Sequence, residues 1–393
     1  MIFRQHHRFI FFILLFALSS CEPDPEILPV LPEPVLPQRT IIAYLCGDNN
    51  LSSEVGEKLD ALKQGMNRAG ETDNTLIVYT DCRNEMPKLL QVSANEIRTL
   101  AEYAEINSAS GANLSRIFQK IMQDFPAQGY GLICFSHASG WLPKGALNNP
   151  GGFAGVYPPD NAPALRSIFE DEAQEMPLSE FASAIPLTPS GDKLDFILFE
   201  MCYMAGVEVA YELRHKAKYI VSSATEMLST GFVEIYPEHL AGLFAPIPSL
   251  KTFAQAYFNT WNSKTGTSCS ASISVINTEK TEELAKALKP ILAENKTVDI
   301  TGIQHFNRNP YHLFFDLSDY VQTLATPEQK TGFDQALSQV IEYQAATLQF
   351  MQGYPYAFTI HSHCGLTTYI EQEQFPDLNK EYAKTAWAKA IVY

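Results

Sequence analysis

Positive charge is scarce in this chain. Twenty-eight Lys and Arg stand against 44 Asp and Glu, a formal net charge of −16. That balance argues against a nucleic-acid partner and against a charge-driven hold on an anionic membrane. Cysteine is sparse as well: seven residues with no regular spacing, which is not a disulfide framework. Neither a Cys-x-x-Cys pair nor a His-Glu-x-x-His helix is present, so no zinc site is indicated. The apolar run near the start, Phe9 to Leu18, is too short for a membrane span.

What the N-terminus does contain is a secretory pattern. Arg4, His6, His7 and Arg8 precede that apolar run, as in the n- and h-regions of a signal peptide over residues 1–20. The run closes on Leu18-Ser19-Ser20-Cys21, the order of a bacterial lipoprotein cleavage site. On that reading Cys21 is the lipidated first residue of an anchored protein; the alternative is an ordinary cleaved signal with an incidental cysteine. Prolines at 23, 25, 29, 32, 34 and 37 follow. Their density predicts an extended tether over 21–38, rising about 3 Å per residue.

The remaining body exceeds one ordinary core, so a main domain with an accessory region is expected. Apolar strand-length runs at Thr40–Cys46, Thr75–Tyr79 and residues 130–136 alternate with amphipathic stretches at Ser52–Asn67 and Leu114–Phe125. The alternation predicts a parallel sheet covered by helices on both faces. Asp48 is expected to cap the first helix or to lie at the crevice rim.

Two further runs carry chemistry. Tyr130-Gly-Leu-Ile-Cys-Phe-Ser-His ends at His137, and Lys193-Leu-Asp-Phe-Ile-Leu-Phe-Glu-Met-Cys ends at Cys202. Each reads as a strand buried on both faces, followed by small residues. In a parallel sheet ligands sit beyond the carboxyl ends of the strands, so adjacent strands would set a thiol beside an imidazole. That is a cysteine nucleophile with its histidine partner. A free thiol titrates near pH 8.5 or so and needs such a neighbour at neutral pH. The amides of Cys202 and of the turn at Gly140 are candidates for an oxyanion hole. Cys46 and Cys134 lie inside apolar runs and read as packing. Trp141 is either a pocket wall or a core residue.

The same residues carry a resemblance. Ser136-His137-Ala138-Ser139-Gly140-Trp141 and Glu200-Met201-Cys202-Tyr203-Met204-Ala205-Gly206, with Ala43-Tyr44-Leu45-Cys46-Gly47-Asp48-Asn49-Asn50-Leu51, are similar to motifs of the clostripain family, cysteine peptidases of the caspase-like clan. The resemblance runs from about Thr40 to about Tyr236. It implies a caspase-like αβα sandwich with a mostly parallel sheet over 39–245; beyond the resemblance, 246–393 is expected to be a C-terminal α+β accessory region packing on it. It implies a peptide or protein substrate, a monomer, and no cofactor, with a calcium requirement left open. No third orienting carboxylate is evident, and the clan does not strictly need one.

The family also implies cleavage after Arg or Lys, through acids in the pocket. One is the residue two before the nucleophile, here Glu200 where Asp is usual. The other belongs in the turn before Gly231, where this chain has Thr230; Glu226 lies earlier in that turn. A guanidinium favours a bidentate carboxylate, which Glu200 would have to supply. Relatives of this kind are matured by a cut between the His and Cys motifs after a basic residue, here Lys144 or Arg166. The long stretch Leu142 to Glu175 is otherwise a lid.

Toward the C-terminus, helices are expected at Leu250–Thr260, Thr281–Leu292, Leu317–Leu324, Gly332–Gln352 and Leu378–Ala390, with strands at Ala271–Asn277 and Thr367–Ile370. His361, His363 and Cys364 lack a fourth ligand and read as structural or crevice residues rather than a metal site. Two other functions fit the same pattern. One is a non-catalytic peptide-binding surface lipoprotein, and the other a cell-wall amidase using the same dyad.

Overall fold

Nine strands form one sheet, and its parallel centre is built from the runs that the sequence marks as buried. The computed structural model describes residues 36–70, 74–153, 168–171, 174–294 and 298–392. The expected leader, Cys21, the tether as far as residue 35, and Arg166 lie outside the described residues. In chain order the first strands are β1 (Arg39–Gly47), β2 (Thr75–Cys82), β3 (Lys88–Val92), β4 (Ile97–Glu102) and β5 (Gly129–Phe135). A short ribbon follows, β6 (Ile168–Asp171) with β7 (Gln174–Met176), and then β8 (Leu194–Glu200) and β9 (Ala217–Ser222). The later strands are β10 (Ser272–Asn277), β11 (Phe315–Asp316) and β12 (Ile341–Ala346). The sheet order is β12-β10-β9-β8-β5-β1-β2-β3-β4. Strands β9, β8, β5, β1 and β2 are mutually parallel, with antiparallel neighbours on both flanks. Every residue of β1 is buried, as a two-faced central strand requires.

Helices cover both faces, giving the caspase-like αβα sandwich. On one side lie α1 (Ser52–Ala69), α5 (Tyr236–Leu243) and α6 (Leu250–Asn262), packed on Ile41, Ala43, Ile133 and Leu198. On the other lie α2 (Gly111–Asp124), α3 (Leu178–Ala184), α4 (Val207–Glu212) and α7 (Thr281–Glu294), packed on Ile42, Tyr44, Leu132 and Ile197. The two cores alternate along each strand because successive side chains point to opposite faces.

The C-terminal region shares this sheet rather than only resting on it: β10 pairs with β9, and β12 with β10. After α8 (Leu317–Leu324), the helix expected over Gly332–Gln352 is instead α9 (Pro327–Val340) followed by β12. Ile341, Tyr343 and Ala345 alternate with exposed Glu342 and the more outward Gln344, and pairing with the β10 edge decides the outcome over local propensity. The single last helix becomes α10 (Pro376–Tyr382) and α11 (Ala386–Val392). The Thr385 hydroxyl accepts the Ala388 amide at 3.1 Å and starts the second one. The Thr367–Ile370 strand shrinks to two residues and pairs with β11, outside the main sheet. Helix α4 is six residues, closed by a 3-10 turn at Leu213–His215.

Candidate active site

Register brings the two reactive residues together. Strands β5 and β8 are parallel neighbours, with Phe135 opposite Glu200, so His137 and Cys202 each lie two residues past a paired end. Both line one cavity of about 300 Å³ at that edge of the sheet. The chain turns sharply after Cys202: Tyr203 is a non-glycine residue at φ +60°, a strained setting that clusters at functional sites. Its ring stacks on Phe314, centroids 4.7 Å apart and planes 4° apart. Gly140 sits at φ +63°, and a Cβ there would lie 2.7 Å from the Tyr203 carbonyl oxygen. The histidine turn and the cysteine turn therefore meet backbone to backbone, and only glycine permits it.

His137 is 6% exposed and held by partners that the sequence reading missed. Its Nε2 lies 2.5 Å from the Asn50 side-chain oxygen, a pairing that favours the tautomer with its proton on Nε2. The Glu170 carboxylate lies 4.0 Å from the same nitrogen. Glu170 reaches this place because its backbone is stitched to the sheet. Its carbonyl accepts from Asn49 Nδ2 at 2.8 Å and the Cys46 thiol at 3.3 Å, while its amide donates to Ser136 Oγ at 3.1 Å. Asn50 belongs to the Asp48-Asn49-Asn50-Leu51 turn already singled out in the sequence. No local pattern marks Glu170.

The Cys202 sulfur accepts the Met227 amide at 3.3 Å. Burial pushes its thiol up to about 12; Glu226 adds to the shift, and the Met227 amide and Arg308 oppose it. That shift favours the neutral thiol over the thiolate.

The pocket acids differ from expectation. Glu200 does not present a free carboxylate. Its Oε1 takes Lys58 Nζ at 2.8 Å and the Phe232 amide at 2.5 Å, and its Oε2 takes the Tyr236 hydroxyl at 2.8 Å. Glu226 is paired bidentately with Arg308, at 2.5 and 3.0 Å. Thr230, at φ +73°, contributes backbone: its carbonyl faces Lys58 Nζ at 3.4 Å and its amide donates to Glu54 at 3.4 Å. Lys58 stands on the apolar stripe of α1 with Val55, Leu62, Gly65 and Met66. A lysine inside such a stripe is the signal that could have found it.

The other expected residues fall elsewhere. Trp141 is a core residue, packed on Tyr369 and Tyr382 with centroids 5.3 Å apart in each case. Asp48 does not cap α1, whose first turn has no side-chain cap; Asn49 Oδ1 accepts the Leu51 amide there instead. The Lys144 side chain is 56% exposed, with Nζ 3.8 Å from Glu175, and Arg166 is outside the described residues. His363 Nδ1 accepts the Gly365 amide at 3.1 Å, the Cys364 amide donates to Asp316 at 2.7 Å, and the His361 amide donates to Gln304 at 2.7 Å. Asp48, Asp81 and Glu105 each bring one carboxylate oxygen within 4.8 Å of the others. Among the described residues no helix is long and apolar enough to cross a membrane.

Known proteins resemble this chain over most of its length. The family model described as Clostripain family matches residues 43–315. The crystal structure of an inactive zymogen C11 protease from Parabacteroides distasonis is 31% identical, with a TM-score of 0.78 over 92% of this chain and 99% of that one. A secreted C11 cysteine protease from Bacteroides thetaiotaomicron, solved with an irreversible peptide inhibitor, is 25% identical, with a TM-score of 0.77 over 90% and 99%. Another structure described as a secreted C11 cysteine protease from that organism, iotapain, at 21% identity and a TM-score of 0.78, shares the fold over 91% of this chain and 100% of its own. No curated protein matches.

Proposed function

Because the chain belongs to the clostripain family and is a cysteine endopeptidase, we propose that Cys202 is its nucleophile and His137 its proton carrier. The observation that supports this most is the β5–β8 register, which delivers both residues to one cavity. With Nε2–H donated to Asn50, Nδ1 is the basic atom of the ring. A neutral buried thiol attacks as it loses its proton, so Nδ1 takes the proton while sulfur bonds to the peptide carbonyl carbon. The backbone amides of Cys202 and the Gly140 turn receive the oxyanion. The imidazolium then protonates the leaving amine and an acyl-enzyme forms. Water attacks that thioester with His137 as base and regenerates the thiol. Glu170 stabilises the imidazolium from 4.0 Å. Nucleophile and proton carrier are both side chains, so the reaction as drawn calls on no cofactor.

The test is hydrolysis of an unfolded protein by wild type, Cys202→Ala and His137→Ala. Each substitution should lower kcat by roughly a thousandfold or more, and alkylation should abolish wild-type activity. Equal activity in wild type and Cys202→Ala refutes the assignment.

The rest of the reading concerns placement. Lipidation at Cys21 would hold a monomeric catalytic body on the bacterial envelope by its tether, and metabolic labelling with a fatty acid, lost in Cys21→Ala, tests it. A maturation cut in the 142–175 interval would fall at Lys144 or Arg166. The exposed Lys144 side chain is compatible with that.

A further inference from the structure

We propose that this site accepts an uncharged, unbranched apolar side chain before the scissile bond, because Lys58 and Arg308 already occupy the carboxylates a basic side chain would need. The inference rests on the peptidase reading above and adds its substrate class.

Two acids could hold a substrate cation at the base of the cavity, and both are used internally. Lys58 and Glu200 side chains are each 1% exposed, 2.8 Å apart. The Lys58 ammonium also lies over the Phe135 ring, 4.1 Å from its centroid. Every oxygen of Glu200 has a donor. The turn at Gly231 closes on it so tightly that a Cβ there would meet Glu200 Oε1 at 2.2 Å. A guanidinium has no approach to this carboxylate without evicting a buried lysine, which would leave that ammonium only the Thr230 carbonyl at 3.4 Å and the more distant Glu54 at 3.8 Å. Glu226, the second acid, is engaged by both arms of the Arg308 fork, and Arg308 is itself tied to the Pro355 carbonyl at 3.4 Å.

A third acid, Glu54, borders the cavity. It braces the roof: one oxygen accepts the Ser229 hydroxyl at 2.9 Å, and the other faces the Thr230 amide at 3.4 Å and Lys58 Nζ at 3.8 Å. Its side chain is 17% exposed, so its charge sits nearer the mouth than that of Glu200. A substrate ammonium reaching past it would approach Lys58, a like charge. Apolar side chains dominate the rest of the lining, Leu51, Phe135, Met201, Met227, Leu228 and Met351, beside the uncharged Ser229 and Tyr354. Thioether side chains adapt to unbranched apolar guests.

Fluorogenic peptides differing only in the residue before the cut, with norleucine, Met, Leu, Lys or Arg there, decide the matter. The full chain is assayed before and after limited trypsin treatment followed by trypsin inhibition, with Cys202→Ala treated identically as the blank. Wild type should favour norleucine or Met over Lys by on the order of a hundredfold in kcat/KM. Lys58→Met, which frees Glu200, should raise the Lys and Arg rates relative to norleucine at least about tenfold. The double variant Lys58→Met/Glu200→Gln, lacking the whole pair, should keep the wild-type order and covers the case in which the single variant misfolds. Best cleavage after Lys or Arg in wild type overturns the proposal while leaving the peptidase intact; its loss in Glu54→Gln would move the acid to Glu54. Wild type no better than Cys202→Ala on every peptide removes the peptidase reading and this proposal with it.

Discussion

Glu208 offers a prediction that the structure makes quantitative. It lies in the first turn of α4, six residues past Cys202, and is 1% exposed. Its Oε1 accepts the Thr368 hydroxyl at 3.0 Å and the Tyr369 amide at 2.9 Å, which fastens the C-terminal segment to the catalytic loop. Its Oε2 has no partner among the described residues. Burial pushes this carboxyl up to about 7, against the pull of the Tyr369 amide. A folded-state pKa above the unfolded one means that the native chain binds the proton more tightly. The stabilisation is therefore complete below the unfolded pKa, near 4.3 or so, and is lost as pH rises through about 7. Integrated over that window, folding loses on the order of 2 to 3 kcal/mol from this group between pH 5 and pH 8.5. Glu208→Gln keeps the accepting oxygen and removes the charge. The amide nitrogen it places at Oε2 is unpaired at either pH, so that penalty cancels in the comparison. Urea unfolding of both proteins in reductant, at pH 5 and at pH 8.5, measures the effect. Relative to wild type, the variant should gain on the order of 2 to 3 kcal/mol on going to the higher pH, or roughly 3 °C in Tm. A wild-type-to-variant difference that is the same at both pH values refutes the reasoning, since the charged carboxylate would then be solvated in place.

Two further outcomes follow from the cavity. The Cys202 thiol, pushed up to about 12 by burial and then by Glu226, should react slowly with iodoacetamide at pH 8. Glu226→Gln removes the second cause and leaves Arg308 acting alone, so alkylation should quicken at least about threefold, whereas Arg308→Met should slow it; intact-mass kinetics that leave both rates unchanged would show the pair to be electrically remote from the sulfur. Gly140→Ala places a methyl 2.7 Å from the Tyr203 carbonyl at φ +63°. It should cut kcat on the order of ten- to a hundredfold, with the circular dichroism spectrum retained, by spreading the two turns that frame the oxyanion. An active Gly140→Ala would detach that turn from the chemistry.

What was legible in the sequence, and what was not, divides along a physical line. The central strands, and the meeting of His137 and Cys202 at one cavity, could be read because a buried parallel strand is a continuous apolar run, and a residue at its end has one place to go. The β12 strand could not be separated from the helix before it, because Val340 to Ala346 carries both periods and only the open edge of β10 selects between them. The partners of the dyad were half visible. Asn50 lay in a motif already quoted, but that its side chain turns onto His137 depends on how α1 leaves the sheet. Glu170 is placed by backbone bonds to Cys46, Asn49 and Ser136, which no linear pattern encodes.

The acids of the pocket show where motif and chemistry part. Glu200 occupies the motif position, yet its availability is set by a residue 142 positions away, and Glu226 by one 82 positions away. An acid in a motif predicts a cation, but the motif does not specify whether that cation belongs to the substrate or to the chain. The apolar stripe of α1 contained the answer at Lys58, since a lysine flanked at helical spacing by Val55 and Leu62 must be buried and must find a carboxylate. The acid two residues before the nucleophile is the one within its reach. Specificity in this chain is therefore written in the pairing of its buried charges, and the residue that decides it lies on the first helix rather than in either catalytic turn.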